Sequence, residues 1–140
     1  MRIGVLGAGS WGTTLAILLS HNSHSVTLWS HRADHADEML TSRENKILLP
    51  GISIPNEISI TSNLESVMSA APELLVAAVP AQFLRSTAEK IRKHNLSQIV
   101  IVNVAKGIEN DSLMTMSDVL TDVIPSMKRE NIAVLSGPSF

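Results

Sequence analysis

The chain has no cysteine among its 140 residues. That excludes a disulfide framework and a thiolate metal centre, and it is compatible with a reducing compartment. Charge of either sign is not in excess: 11 Lys and Arg against 13 Asp and Glu leave a net charge of −2 and a pI near 6.2. So mildly acidic a chain offers no basic stripe to a nucleic-acid backbone. No apolar run approaches the ~20 residues that cross a bilayer. Arg2 ahead of apolar residues imitates the start of a signal peptide, but glycines follow at once and a clear cleavage site does not. These absences lead to the expectation of a cytoplasmic chain, mature from Met1. No P-loop and no G-x-S-x-G elbow occurs, which removes two common phosphate and hydrolase signatures. Internal repeats, low-complexity tracts and interdomain linkers are missing as well. What remains is 44% hydrophobic and one domain's worth of chain, enough for one core.

The strongest positive feature is the start. Arg2-Ile3-Gly4-Val5-Leu6 reads as a short apolar strand that runs directly into Gly7-Ala8-Gly9-Ser10-Trp11-Gly12. In such a G-x-G-x-x-G, Gly7 turns the chain out of the strand and Gly9 lets the backbone approach a pyrophosphate. Gly12 lets the next helix pack closely on the strand. The N-terminus of that helix offers free N–H groups and partial positive charge to phosphates. The plain alternative is a structural glycine turn that binds nothing. The context favours the ligand, because the motif lies in the first strand–helix unit and 13–19 contain neither Gly nor Pro.

Strand and helix patterns then alternate to the end. Trp11, Leu15, Leu18 and Leu19 fall at helical spacing on one face of a first helix, and 25–29 form a β-branched and aromatic second strand. A polar helix is expected over 33–45, a turn-rich connection from Leu49 through Asn56, and a short strand at 58–60. Asn63 caps a brief helix to Ala70. The continuous apolar runs 74–79 and 99–104 read as strands covered on both faces. Pro80 stops the first and a helix follows over 81–94. Asp111 or Ser112 is expected to cap a helix that carries Leu113, Met116, Leu120, Val123 and Ile124, and 132–135 form the last strand. This order predicts an α/β fold: a Rossmann-type, doubly wound, mainly parallel sheet with helices on both faces. Residues 1–140 are read as a single NAD(P)-binding domain. The chain stops just past a strand, where such sheets deliver site residues, so the expectation is a fragment of a longer enzyme.

The strand ends supply the candidate site. The carboxyl end of the second strand should meet the adenosine ribose, roughly 20 residues beyond the glycines, where NAD-specific domains place Asp or Glu. Here it reads Trp29-Ser30-His31-Arg32, with no carboxylate before Asp34. Serine, histidine and the arginine fork can donate to a 2′-phosphate that a carboxylate would repel, so NADP(H) is favoured over NAD. A solvated arginine at a helix start is the bland alternative. Pro80 rigidifies the turn after the next strand, and Phe83 is expected to cover the nicotinamide side. Lys106 follows the most apolar strand, with Gly107 beside it. Its ammonium should emerge at the sheet's carboxyl edge, where it could hold a phosphate or polarise a carbonyl; a surface lysine is the equal alternative. Gly137 and Ser139 add a backbone amide and a hydroxyl to the same crevice. Together these ends outline a site for a small, polar, anionic substrate. The five histidines (His21, His24, His31, His35 and His94) show no ligand spacing and are read as loop or surface residues, with no metal. The six methionines are read as core filler.

Several separated motifs coincide with one family. Gly7 to Thr13, Asn45 to Gly51 with Pro55, Val79-Pro80, Lys106-Gly107-Ile108-Glu109 and Leu135 to Phe140 resemble the bacterial NAD(P)-dependent glycerol-3-phosphate dehydrogenases, in order and over essentially the whole chain. The resemblance implies reversible reduction of dihydroxyacetone phosphate to sn-glycerol 3-phosphate for glycerophospholipid synthesis. It implies cofactor contacts at Ser10, Trp11, His31 and Arg32, a shared cofactor and substrate contact at Lys106, and substrate contacts at Gly137 and Ser139. It places the general acid/base, a second lysine, in a helical domain beyond Phe140, so no catalytic residue is expected in this chain and the isolated piece should turn over little. Leu48 stands where the family often has tyrosine, so that hydroxyl is lost. Two other readings stay open: a dinucleotide-sensing module without catalysis, and a related hydroxy-acid or sugar-acid dehydrogenase. A homodimer is compatible with the resemblance, with much of its interface beyond Phe140.

Overall fold

The computed structural model describes residues 1–137. Its central sheet has six strands in the order β5-β2-β1-β6-β7-β8, and every neighbouring pair is parallel. The strands are β1 (Arg2–Leu6), β2 (Ser25–Trp29), β5 (Ser59–Thr61), β6 (Leu74–Ala77), β7 (Val100–Asn103) and β8 (Ile132–Val134). Five helices connect them: α1 (Ser10–His21), α2 (Ala33–Ser42), α3 (Leu64–Ser69), α4 (Ala81–Ile91) and α5 (Met116–Val123). The strand order reverses between β1 and β6, which is where doubly wound sheets open a crevice at their carboxyl edge.

Period-two side-chain alternation builds two cores. Ile3, Val5, Val26, Leu28 and Val76 point to one face and pack with Leu15, Ala16, Ala36 and Met39 of α1 and α2. Leu6, Trp29, Leu75, Ala77 and Ile101 point to the other and pack with α3, α4 and α5 through Val67, Leu84, Ile91 and Leu120. The central strands are apolar at successive positions because both faces are covered. Burying each large aliphatic side chain stabilises the fold by about 1.5–3 kcal/mol.

The structure corrects the sequence reading of several elements. Trp11 and Leu18 are 52% and 53% exposed, so they do not share the buried face of α1. That face is Gly12, Thr13, Leu15 and Ala16, because small residues let α1 sit close to β1. Second, α2 stops at Ser42, where Arg43 takes a left-handed conformation (φ 50°). Its guanidinium donates to the Ile58 carbonyl at 2.9 Å. Asn45 therefore leaves the helix, and Glu44–Asn45 (β3) pair antiparallel with Leu49–Ser53 (β4) in a hairpin where only a turn was expected. Third, α5 begins after Thr115, whose hydroxyl accepts from the Asp118 amide at 3.3 Å. Neither Asp111 nor Ser112 caps it. Residues 108–115 close on themselves through an Ile108–Thr115 bridge, and Leu113 is 69% exposed at φ 58°. Finally, His35 is only 8% exposed, which removes it from the surface histidines. Asn63 does cap α3, accepting from the Glu65 amide at 3.0 Å.

Candidate functional site

The glycine turn joins β1 to α1 at the point where the strand order reverses. Gly7 adopts φ 118° and donates its amide to the Trp29 carbonyl at 3.0 Å. A β-carbon on Gly7 would lie 2.7 Å from the Ala78 carbonyl oxygen, so both its angle and its space require glycine. A β-carbon on Gly12 would lie 1.9 Å from the Gly7 carbonyl oxygen, and only glycine lets α1 start there.

Gly9 is different. Its φ of −71° and ψ of 179° suit any residue, and a β-carbon on it would meet nothing within 4 Å. Nothing in the fold requires glycine at this position. The space beside Gly9 is open to a group lying against the turn, and a side chain there would fill it. Gly9 is also the N-cap of α1, with no side-chain cap and no acidic residue in the first turn. The first amides of α1 thus lack an intrahelical acceptor, and the dipole presents positive potential there. Ser10 and Trp11 are exposed on this rim. These residues fit a dinucleotide's pyrophosphate.

At the carboxyl end of β2, His31 and Arg32 are exposed, whereas Ser30 is 2% exposed with its hydroxyl 3.2 Å from His35 Nδ1. Arg32 donates through Nε to Asp34 Oδ1 at 3.1 Å, and its Nη2 makes a second bond to Oδ2. The pair lowers the Asp34 carboxyl below its ordinary range and raises the Arg32 guanidinium. Asp34 therefore already engages the arginine expected to meet a phosphate. His31 borders a groove of about 200 Å³ with Trp29, Pro80, Phe83 and Lys90. Phe83, expected to cover the nicotinamide, is 61% exposed and lines this groove on the β2 side of the sheet. Helical phase explains this. Pro80 is the N-cap of α4, and it is Gln82 that turns towards β7, donating to the Ile108 carbonyl at 2.9 Å and accepting from the Asn110 amide at 3.0 Å.

A second cavity, of about 300 Å³, lies beyond the ends of β7 and β8. Asn103, Lys106, Gly107, Thr115, Leu135 and Ser136 line it. Buried Asn103 shapes its floor, donating to the Ala105 carbonyl at 3.0 Å and accepting from its amide at 3.2 Å. Gly107 turns the chain at φ 105°. The loop bearing Lys106 is clamped to α4 by Arg85, which grips Glu109 through two bonds of 2.8 and 3.0 Å and reaches Asp122 at 2.7 Å. Arg85 foremost, with Ser112, holds the Glu109 carboxyl below its ordinary range. Gln82 and Arg85 are not singled out in the sequence, because their partners are 24 to 37 residues away, and the bonds that His35 and Asn45 make to each other and to Ala8 and Thr13 are not legible there either. Gly137 is exposed with open space around it, at the continuation of β8. Ser139 lies outside the described residues.

The chain's relatives agree with this architecture. Residues 2–140 match the family described as NAD-dependent glycerol-3-phosphate dehydrogenase N-terminus. Proteins named glycerol-3-phosphate dehydrogenase (NAD(P)+) from Syntrophotalea carbinolica and Chlorobium phaeobacteroides are 44% and 48% identical over 140 and 139 residues. This chain aligns over 100% and 99% of its length with them and spans 42% and 41% of theirs. The crystal structure of glycerol-3-phosphate dehydrogenase from Coxiella burnetii superposes with a TM-score of 0.87 at 28% identity, over 99% of this chain and 41% of that one. The match runs from β1 past β8, through both the glycine turn and the lysine loop, and the chain belongs to the NAD-dependent glycerol-3-phosphate dehydrogenase N-terminal family.

Proposed function

We propose that this chain is the cofactor-binding domain, residues 1–140, of a cytoplasmic enzyme that reversibly reduces dihydroxyacetone phosphate to sn-glycerol 3-phosphate with NAD(P)H. The observation that carries the reading is Gly9, a glycine whose angles and surroundings need no glycine unless a ligand occupies the space beside it. The family supports the substrate, and the lysine loop supports an anion at the carboxyl edge. In this reading Gly7 and Gly12 shape the turn, while Gly9, Ser10 and Trp11 border the pyrophosphate. His31 and Arg32 meet the adenosine ribose, and Pro80 lines the passage between the two ends. Lys106 holds both cofactor and substrate, with Gly137 and Ser139 at the substrate phosphate. Bound nicotinamide supplies the hydride. The chain's own residues align the carbonyl with it and hold the substrate's negative charge, while the proton-transfer lysine lies outside these residues.

NADP(H) is favoured because no carboxylate occupies the ribose position and Arg32 is exposed there. A 2′-phosphate would take Arg32 from Asp34, an exchange of one exposed charged partner for another. Titrating the complete protein with NADPH and NADH tests this. Saturable binding, tighter for NADPH, together with turnover of dihydroxyacetone phosphate over other 2-oxo compounds, is the expected result. Arg32→Ala should weaken NADPH far more than NADH. Equal losses would refute the ribose assignment, and no binding by the folded protein would refute the cofactor reading.

A further inference from the structure

A buried polar chain links the glycine turn to the carboxyl end of β2. Asn45, fully buried, donates its amide hydrogens to the Ala8 carbonyl at 3.0 Å and to the Thr13 hydroxyl at 2.9 Å. Its Oδ1 accepts from the Leu48 amide at 3.2 Å and lies 3.0 Å from His35 Nε2. His35 Nδ1 lies 3.2 Å from Ser30 Oγ, which accepts from the Arg32 amide at 3.4 Å.

The polarity of this chain follows from its ends. Because both Asn45 amide hydrogens are engaged, its oxygen must face His35, so Nε2 donates. In the neutral Nε2–H tautomer Nδ1 accepts, so the Ser30 hydroxyl donates to it and keeps its lone pairs for the Arg32 amide. With His35 in this tautomer, Ser30, His35 and Asn45 are all engaged and the chain runs in one direction. A trans peptide points its C=O and N–H to opposite sides of one plane. Asn45 holds the Ala8 carbonyl inwards, and thereby aims the Gly9 N–H of the same peptide away from the core, towards the open space beside Gly9.

We propose that His35 and Asn45 are positioning residues for the cofactor: their one-way hydrogen-bond chain fixes the Ala8–Gly9 peptide and the Ser30–Arg32 loop in the orientations that receive the pyrophosphate and the ribose. The inference rests on the dinucleotide reading above. It assigns no ligand contact to Ser30, His35 or Asn45 themselves. Loss of the chain should therefore weaken NADPH and NADH alike, unlike loss of Arg32.

The test is fluorescence titration of the complete protein with NADPH and with NADH, beside thermal melts, for His35→Leu, His35→Gln and Ser30→Ala. Glutamine carries an acceptor and a donor about as far apart as the two ring nitrogens. His35→Leu should weaken both cofactors about tenfold or more, and His35→Gln should recover most of that loss. Ser30→Ala should also weaken both to a similar extent. Should His35→Leu fail to fold, Ser30→Ala and His35→Gln still decide the matter. Unchanged binding in folded His35→Leu or Ser30→Ala overturns the proposal. So does a glutamine variant that folds yet binds no better than leucine, or a Ser30→Ala loss confined to NADPH, which would make Ser30 a direct phosphate contact. If the unsubstituted protein binds neither cofactor, the dinucleotide reading has failed instead.

Discussion

Gly12 faces Gly7 so closely that a β-carbon on Gly12 would lie 1.9 Å from the Gly7 carbonyl oxygen. Gly9, between them, would carry a β-carbon without touching any protein atom within 4 Å. One motif therefore contains two glycines that the fold requires and one that it does not, which the proposed pyrophosphate site would require.

The two kinds separate by substitution. Gly12→Ala forces backbone against backbone and should cost about 3 kcal/mol or more of stability. Gly9→Ala should leave stability within about 0.5 kcal/mol while weakening dinucleotide binding about tenfold or more. Urea denaturation and a cofactor titration on the same variants read both. A Gly9→Ala protein that binds normally would remove the pyrophosphate from this turn.

In the proposed site, Asp34 competes with the cofactor for Arg32. Replacing it by asparagine should leave Arg32 without its carboxylate partner and tighten NADPH by roughly threefold, with NADH little changed. The gain should shrink at high salt, because both charges are exposed. Titrations at two ionic strengths check the effect and its origin.

Glu109 ties the lysine loop to Arg85 of α4 through two hydrogen bonds. Arg85 depresses the Glu109 carboxyl, so its contribution to stability is fully present above the ordinary glutamate pKa. It is lost only as pH falls through the lower folded-state value. Hydrogen exchange should show amide protection at Glu109 and Leu113 constant from neutrality into the ordinary carboxylate range, then falling at more acid pH. Glu109→Gln should weaken that protection already at neutral pH and flatten its acid dependence. Unchanged protection in the variant would show that the clamp does not hold the loop.

Thr115 and Ser112 offer a test of where α5 starts. Thr115→Ala removes the oxygen that accepts from the Asp118 amide and should cost about 1 kcal/mol, with Thr115→Ser close to neutral. Ser112 bonds Glu109 and accepts from the Met114 amide at 3.2 Å, within the loop. Ser112→Ala should therefore leave α5 helicity unchanged while loosening residues 108–114. Circular dichroism and exchange rates distinguish the two.

Local chemistry carried much of this protein into view from sequence alone. The runs at 74–79 and 99–104 announced strands buried on both faces, because parallel sheets leave no polar side to alternate with. The three glycines, their spacing and the strand before them located the turn, since backbone angles and close approaches are set by neighbours a few residues away. Lys106 at the end of a buried strand was likewise legible. Tertiary structure alone decided what depends on partners distant in the chain. Asn45 left its expected helix because the Ala8 carbonyl and Thr13 hydroxyl, 37 and 32 residues back, compete for its amide. His35 became buried because Ser30 and Asn45 satisfy both ring nitrogens. Leu113 was displaced from a helix by a loop that Arg85 holds from α4. Phe83 faces the β2 side and Gln82 the Ile108 loop because the phase of α4 is set by its packing against α5 and the core, which no window of neighbouring residues records. Patterns of period and spacing fix elements and turns, whereas the direction of a polar side chain is chosen by whichever acceptor the folded chain brings within reach.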